Sequence, residues 1–371
     1  MMRRVCACVA VVVAGGACIG APCAFAGPIT PPPGPVMSTP GPEPRVAINA
    51  TNTPGDADSV YRITAPGSYF LTGNLTGVTG KHGIEIAAWG VTIDLVGFEL
   101  VGTASGTLNG ITVNAGGPKG VTILNGTVRG WGGDGVSISL ANGGRVEGVV
   151  ATDNLGDGLS LGDYMAVSGC SSYDNEGAGI IIGFGASLTN SASASNGGNG
   201  ISAGNGATIT NCSSLYSGAN GITLGSNCVL VASTSMQSAS DGVRATGGSS
   251  VIDCVVNENT LDGIEASSDC VITGNTCHDN GTGTSGGAGI RVTGGSCRVF
   301  GNVCTDSQIG IDVDASGSFI GGNMCSGNLT NWSVASGNVC FVVDAATNAA
   351  FSGDSGGTSP GSTGAWTNFT Y

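Results

Sequence analysis

Apolar residues along this chain alternate with small or polar ones in short bursts, and each burst ends at Gly, Asn or Asp. In 200–220, Ile201 and Ala203 share one face, and Ala207 and Ile209 share another. A period of two is strand behaviour. Gly and Asn every few residues exclude stable helices. The bursts themselves recur. A turn residue, then Gly, then Ile, Val or Leu appears as Asn109-Gly110-Ile111, Asp134-Gly135-Val136, Asn220-Gly221-Ile222 and Asp262-Gly263-Ile264. The anchoring glycines are Gly83, Gly110, Gly135, Gly158, Gly179, Gly200, Gly221, Gly242, Gly263, Gly289 and Gly310. Their interval is longer at first and becomes constant from Gly158 to Gly263. A degenerate twelfth copy begins at Asn331.

A single unit with strands this short cannot bury its own apolar face. Stacked coils can, because strands of one coil pair with those of the next at about 4.8 Å. The expectation is an all-β solenoid of about 12 coils, mostly of about 21 residues each. Ile201, Ile222, Ile264, Ile290 and Ile311 then form one buried column. Composition agrees with a narrow interior: 68 of 371 residues are Gly, 40% are hydrophobic and only 5% aromatic. The Leu-x-x-Leu-x-Leu frame of leucine-rich repeats is missing, and propeller blades need about 40 residues.

The Asn/Asp-Gly-Ile phrase is followed by a second strand such as Val271-Ile272-Thr273-Gly274-Asn275. Over about residues 60–343 this resembles the right-handed parallel β-helix proteins of the pectin-lyase-like superfold. Pro66-Gly67-Ser68-Tyr69-Phe70-Leu71 with Val91-Thr92-Ile93-Asp94-Leu95 looks like the entry rungs of secreted bacterial members. The resemblance implies a right-handed helix, in line with the general crossover rule. It leaves function open, because the fold hosts lyases, hydrolases, adhesins and copper-maturation accessories.

In-register stacking turns sequence columns into spatial ladders. Twelve residues after the anchor stand Cys170, Ser191, Cys212, Ser233, Cys254 and Asn275, continued by Asn302 and Asn323. Asn275, Asn302 and Asn323 are expected to bond amide to amide in a buried turn. Cys170, Cys212 and Cys254 lie two coils apart, about 9.6 Å, beyond the ~7 Å reach of a disulfide. Cys270–Cys297 and Cys277–Cys304 fall on neighbouring coils, where a disulfide and a pair of reduced thiols are both open. Arg244, Glu265, Arg291 and Asp312 alternate in sign on consecutive coils and read as a surface ion-pair ladder. Asp134, Asp157, Asp241 and Asp262 share a slot with Asn109, Asn199 and Asn220, so turn geometry explains them.

The ends carry different signals. Arg3 and Arg4, the apolar Val9–Val13 stretch and Ala24-Phe25-Ala26 form a signal-peptide pattern over 1–26. Eight prolines in 28–44 make a semi-extended spacer, assigned to 27–59. The solenoid is assigned to 60–343 and a Gly/Ser/Thr-rich tail or cap to 344–371. Without Arg3 and Arg4, nine basic residues face 25 acidic ones. That balance argues against nucleic acid and anionic membranes as partners, and no later apolar run is long enough to span a bilayer. The expected location is extracellular or periplasmic.

Candidate chemistry is sparse. The acid–Lys/Arg cluster implied by polysaccharide-active relatives has no recognisable motif here, so no catalytic residue is assigned. Trp89, Trp131, Tyr164 and Phe184 lie in or near turns of the N-terminal half, where aromatics either stack on sugars or shield the solenoid. Asp153, Asp157, Asp163, Asp174 and Glu176 are dense enough to raise calcium, but acids spread over loops are more often just solvated, and no cofactor is assigned. Cys277-His278 raises soft-metal binding, but strand alternation points the two side chains apart. The reading is a non-catalytic secreted scaffold that binds polysaccharide or a cell-surface component on its lateral face. A polysaccharide lyase or glycoside hydrolase with an unrecognised site is the alternative.

Overall fold

The structure, a computed structural model, describes residues 45–113, 115–283, 286–340, 342–344 and 367–370. The signal expected at 1–26, the proline-rich part of the spacer and most of the tail lie outside these residues. The chain divides into two units, 1–43 and 44–371; everything below concerns the second.

One coil shows the plan. Residues 200–220 hold three strands, Ile201–Ala203, Thr208–Thr210 and Ser213–Leu215. Each pairs in parallel with its counterpart one coil on: Ile201 with Ile222, Thr208 with Val229, Ser213 with Thr234. First strands of successive coils make a 13-stranded sheet, and second and third strands together make a 26-stranded one. Ile201, Ile222, Ile264, Ile290 and Ile311 are fully buried in the expected column. Among the described residues no helix is long and apolar enough to cross a membrane.

The sheet of 13 first strands is one longer than the anchor glycines indicate. The extra strand is Ser59–Ile63, where Tyr61 pairs with Ile84, so Val60 stands in the anchor slot. Val46–Ala47 also pairs with Tyr69 and Phe70. Ordered structure therefore reaches into the segment assigned as spacer.

The anchor glycines serve close approach. A Cβ on Gly200 would lie 1.9 Å from Ser214 Oγ, and one on Gly221 would lie 1.9 Å from Ser235 Oγ. The coil is too narrow there for any side chain. The buried serines opposite use that proximity: Ser214 donates to Gly221 O at 2.9 Å and Ser235 to Gly242 O at 2.8 Å. The two-residue corner between second and third strands holds a left-handed residue, such as Asn190, Asn211 or Asp253. Asn, Asp and Gly enter that conformation at least cost.

The next residue at this corner builds the asparagine ladder. Asn302 Oδ1 accepts from Asn275 N at 2.9 Å and from Asn275 Nδ2 at 3.0 Å. Asn302 Nδ2 donates to Asn323 Oδ1 and to Ile272 O, each at 2.9 Å. Further up the column Ser233 Oγ accepts from Cys212 N at 3.1 Å, and Asn275 Oδ1 from Cys254 N at 2.9 Å. A second ladder, unread in the sequence, follows the third strand. Asn175 accepts from Asn154 N and Asn196 from Asn175 N, both at 3.1 Å; Asn280 accepts from Asn259 N at 3.2 Å. Its signal was the recurrence of Asn a fixed interval after the first ladder.

Cys277, Cys304 and Cys325 are direct strand partners and fully buried. Cys270 N–H points to Cys297 Sγ at 3.4 Å. Both cysteine pairs named from register thus sit on adjacent coils, and the described cysteines are free thiols. The hydrogen bond between the two thiols lowers Cys270 and raises Cys297. In the tail, Asn368–Thr370 pairs with Met324–Cys325 on one side and Val342–Asp344 on the other. Asn323 N donates to Asn368 Oδ1 at 2.9 Å, so the tail extends the ladder as a strand. Trp366 and Tyr371 lie outside the described residues.

Candidate functional site

Two groups of side chains stand out. The first runs along the corner between the 13-stranded sheet and the second strands. Trp89 follows His82–Ile86, Leu140 follows Val136–Ile138, Tyr164 follows Leu159–Leu161, and Phe184 follows Ile180–Ile182. All four occupy the same corner of their coils. Their exposures are 60%, 55%, 59% and 48%, so their apolar faces are open to a partner. The one intervening coil contributes Lys119, whose ammonium lies 5.5 Å from the Trp89 ring centre. The Tyr164 and Phe184 rings meet edge to face, with centroids 5.4 Å apart. Gly185, at φ +60°, leaves the room that the Tyr164 ring occupies. Five consecutive coils make a ridge roughly 19 Å long. Beyond Phe184 the corner turns polar, with Asn205 and Ser226.

Trp131 does not join this ridge. It is 2% exposed, and its indole N–H donates to Leu100 O at 3.3 Å. Gly77, Gly83 and Gly110 make room for the ring: a Cβ on any of them would come within 2.9 Å of it. Trp131 therefore fills a wide part of the interior and is removed from the residues that can stack on a ligand.

The second group lies on the 13-stranded sheet. Asp241, Asp262 and Glu265 bring carboxylate oxygens within 4.8 Å of one another. The two aspartates are ladder residues: Asp241 Oδ1 accepts from Asp262 N at 3.2 Å, and Asp262 Oδ1 accepts from Ala288 N at 2.7 Å. Turn geometry thus accounts for their slot, but burial and crowding also change their chemistry. Burial raises Asp262 to about 6, and Asp241 is raised by burial and then by Glu265. Arginines balance the cluster. Arg244 lies 3.4 Å from Glu265, and Arg291 lies 3.9 Å from Asp262, 3.9 Å from Asp312 and 3.0 Å from Asp314. The expected ion-pair ladder is therefore partial, because Arg291 turns to Asp314, its shortest contact. A calcium ion needs about six to eight oxygens. Each aspartate has one oxygen engaged by a backbone N–H, and two guanidinium groups already neutralise the cluster. The donor set does not fit that ion.

The acids that suggested calcium in sequence are not gathered. Asp157 accepts from Ala178 N at 2.7 Å and Asp163 from Phe184 N at 2.8 Å. Cys277 points inward while His278 points out, with His278 Nδ1 3.2 Å from Asp306. No soft-metal pair forms there.

Residues 183–329 match the family model described as the right-handed β-helix region. The chain has the right-handed parallel β-helix fold. Among solved structures, this β-helix is similar to the A-module of the Azotobacter vinelandii mannuronan C-5 epimerase AlgE4. The TM-score is 0.54 at 18% identity, over 74% of this chain and 84% of that one. It is also similar to the A-module of AlgE6 from the same organism, with TM-score 0.52 at 15% identity, over 80% of this chain and 87% of that one. The search of curated proteins found no match. At these identities the likeness establishes the fold of the β-helix and nothing about its chemistry.

The raised Asp262 gives a pH prediction. A carboxyl whose folded value (about 6) exceeds its unfolded value (3.8) favours the fold below pH 3.8. That contribution disappears as pH rises through the folded value, a loss of up to about 3 kcal/mol. Asp262→Asn keeps the acceptor for Ala288 N and removes the buried charge. The variant is expected to melt several degrees above wild type at pH 8 and close to it at pH 4. Thermal melts at both pH values test this, and a variant less stable than wild type at pH 8 contradicts it.

Proposed function

We propose that this chain is an extracellular or periplasmic β-helix scaffold that binds polysaccharide along its side. The carrying observation is the corner ridge of Trp89, Tyr164 and Phe184, with Leu140 and Lys119 between. Flat aromatic faces offer large contact area at small entropy cost. A rigid solenoid spaces them one or more strand separations apart, so an extended glycan can lie along the ridge without ordering the protein. Contacts of this kind concentrate in a few aromatic anchors, the strongest of which contributes about 2 kcal/mol.

The test is retention of the protein on a panel of immobilised acidic and neutral polysaccharides. Trp89→Ala, Tyr164→Ala and Phe184→Ala combined should weaken retention on the preferred glycan by about 30-fold or more. The melting temperature should stay near wild type, because all three rings are exposed. Unchanged affinity in the triple variant would refute the ridge.

Asp262 supports a second reading, acid-assisted cleavage at the carboxylate cluster. A carboxyl titrating near 6 is suited to donate a proton at neutral pH. Scanning the same glycans for new reducing or unsaturated ends separates the readings. Turnover abolished by Glu265→Gln favours cleavage, whereas retention without new ends favours the scaffold.

A further inference from the structure

A second ligand site lies away from the ridge, where the coils are longest. The coil that opens at Ser59–Ile63 and the coil anchored at Gly83 both exceed the regular repeat between Gly158 and Gly263. Their closing loops, through Lys81 and through Leu108, lie on neighbouring coils and enclose a cleft of about 260 Å³. Val78 and Lys81 stand on one side and Thr103, Ser105 and Thr107 on the other, with Trp131 in the lining. The loop geometry is fixed from within. Lys81 N donates to Val78 O at 3.0 Å, Ala104 N to Gly130 O at 2.6 Å, and Thr103 Oγ1 lies 3.0 Å from Ser105 Oγ.

We propose that this cleft binds a single pyranose ring carrying a carboxylate, either a free uronic acid or a uronate residue of a longer glycan. Size, lining and charge each point that way. The volume is at the small end for organic ligands, which typically occupy about 300–1,000 Å³, so one sugar ring fits and an oligosaccharide does not. Three side-chain hydroxyls beside the apolar Val78 and Leu108 match a ligand with hydroxyls on its edges and C–H groups on its faces. Lys81 supplies the charge. Its ammonium donates to the neutral Asp56 carbonyl oxygen, which leaves two N–H groups and the positive charge available. The Asp56 carboxylate is engaged elsewhere, by Arg62 at 2.7 Å. Lysine is scarce in this chain, and a lysine at the wall of a partly enclosed cleft selects an anion from a protein that is otherwise acidic.

This inference rests on the carbohydrate-binding reading but uses different residues, so each can fail alone. The experiment is titration of the full protein with D-glucuronate, D-galacturonate, D-glucose, D-galactose and acetate, followed by calorimetry or NMR shifts. At least one uronate should bind more than about tenfold tighter than its neutral parent sugar, the contribution of one charge-assisted contact. Acetate should not compete at equal concentration. Lys81→Met should erase the preference for the uronate, and Thr107→Ala should weaken it while leaving the melting temperature unchanged. Equal binding of uronate and parent sugar overturns the proposal. So does competition by acetate at equal concentration, an unaffected Lys81→Met variant, or no binding of any sugar. The ridge variant Trp89→Ala/Tyr164→Ala/Phe184→Ala should keep the uronate preference. If that variant instead keeps its polysaccharide retention, the ridge fails and the cleft stands.

Discussion

Ile222→Asp is expected to abolish cooperative unfolding. Ile222 is fully buried and pairs directly with Ile201 on one coil and Val243 on the next. Removing the side chain forfeits about 1.5–3 kcal/mol of apolar burial, and a carboxylate in its place has no partner inside the coil. The combined effect exceeds ~5 kcal/mol, at the extreme of single substitutions. In a solenoid the damage reaches both flanking interfaces, because each coil depends on its neighbours. The adjacent Thr223→Asp is the control. Thr223 faces outward and pairs with Arg244, so an added carboxylate there meets a guanidinium and should change the melting temperature little. A wild-type melt for Ile222→Asp, or equal damage from the two variants, contradicts the buried column.

The second large effect is expected at Asn302. Its amide joins three coils through four hydrogen bonds of 2.9–3.0 Å to Asn275, Ile272 and Asn323. Asn302→Leu leaves the Asn275 N–H without an acceptor in a buried corner and takes a donor from both Ile272 O and Asn323 Oδ1. The orphaned N–H costs about 1–3 kcal/mol and each lost bond about 1 kcal/mol, so the total is about 3–5 kcal/mol. Asn302→Ser should cost less, about 1–2 kcal/mol, because a serine at this slot still accepts from the coil before. Ser191 does this for Cys170 N at 3.1 Å. Denaturant melts of the two variants check the order, and a leucine variant as stable as the serine one removes the ladder from the stabilising interactions.

Much of this was legible because the repeat has a fixed length. Once Ile201 and Ile222 stand one repeat apart in equivalent strands, their contact follows from strand spacing alone. The same logic placed Asn275 on Asn302 and Cys277 on Cys304. It missed Ser59–Ile63, because Val60 stands where other coils carry the anchor glycine. Trp131 looked like a surface aromatic because it follows a turn. Its burial depends on Gly77, Gly83 and Gly110 on other coils, and nothing local to Trp131 records that space.

The candidate sites were less legible for a related reason. Trp89, Tyr164 and Phe184 are separated by unequal distances in sequence, since the early coils vary in length, and only folding aligns them on one corner. Asp241, Asp262 and Glu265 belong to two different columns. Periodicity assigned one column to turns and the other to surface charge pairs. That they approach within 4.8 Å is a property of the corner, where the turn column meets the sheet column. The cleft beside Lys81 arises from irregular insertions, which a repeat pattern treats as noise.

The most direct test of in-register stacking uses paired cysteines on the outer face. Ser202 and Thr223 are strand partners on adjacent coils, about 4.8 Å apart and within disulfide reach. Ser202 and Arg244 are two coils apart, about 9.6 Å. Oxidation followed by non-reducing peptide mass spectrometry should find the cross-link in Ser202→Cys/Thr223→Cys and not in Ser202→Cys/Arg244→Cys. Absence of the first cross-link, or equal yield of both, would show that equivalent residues of successive repeats are not vertical neighbours.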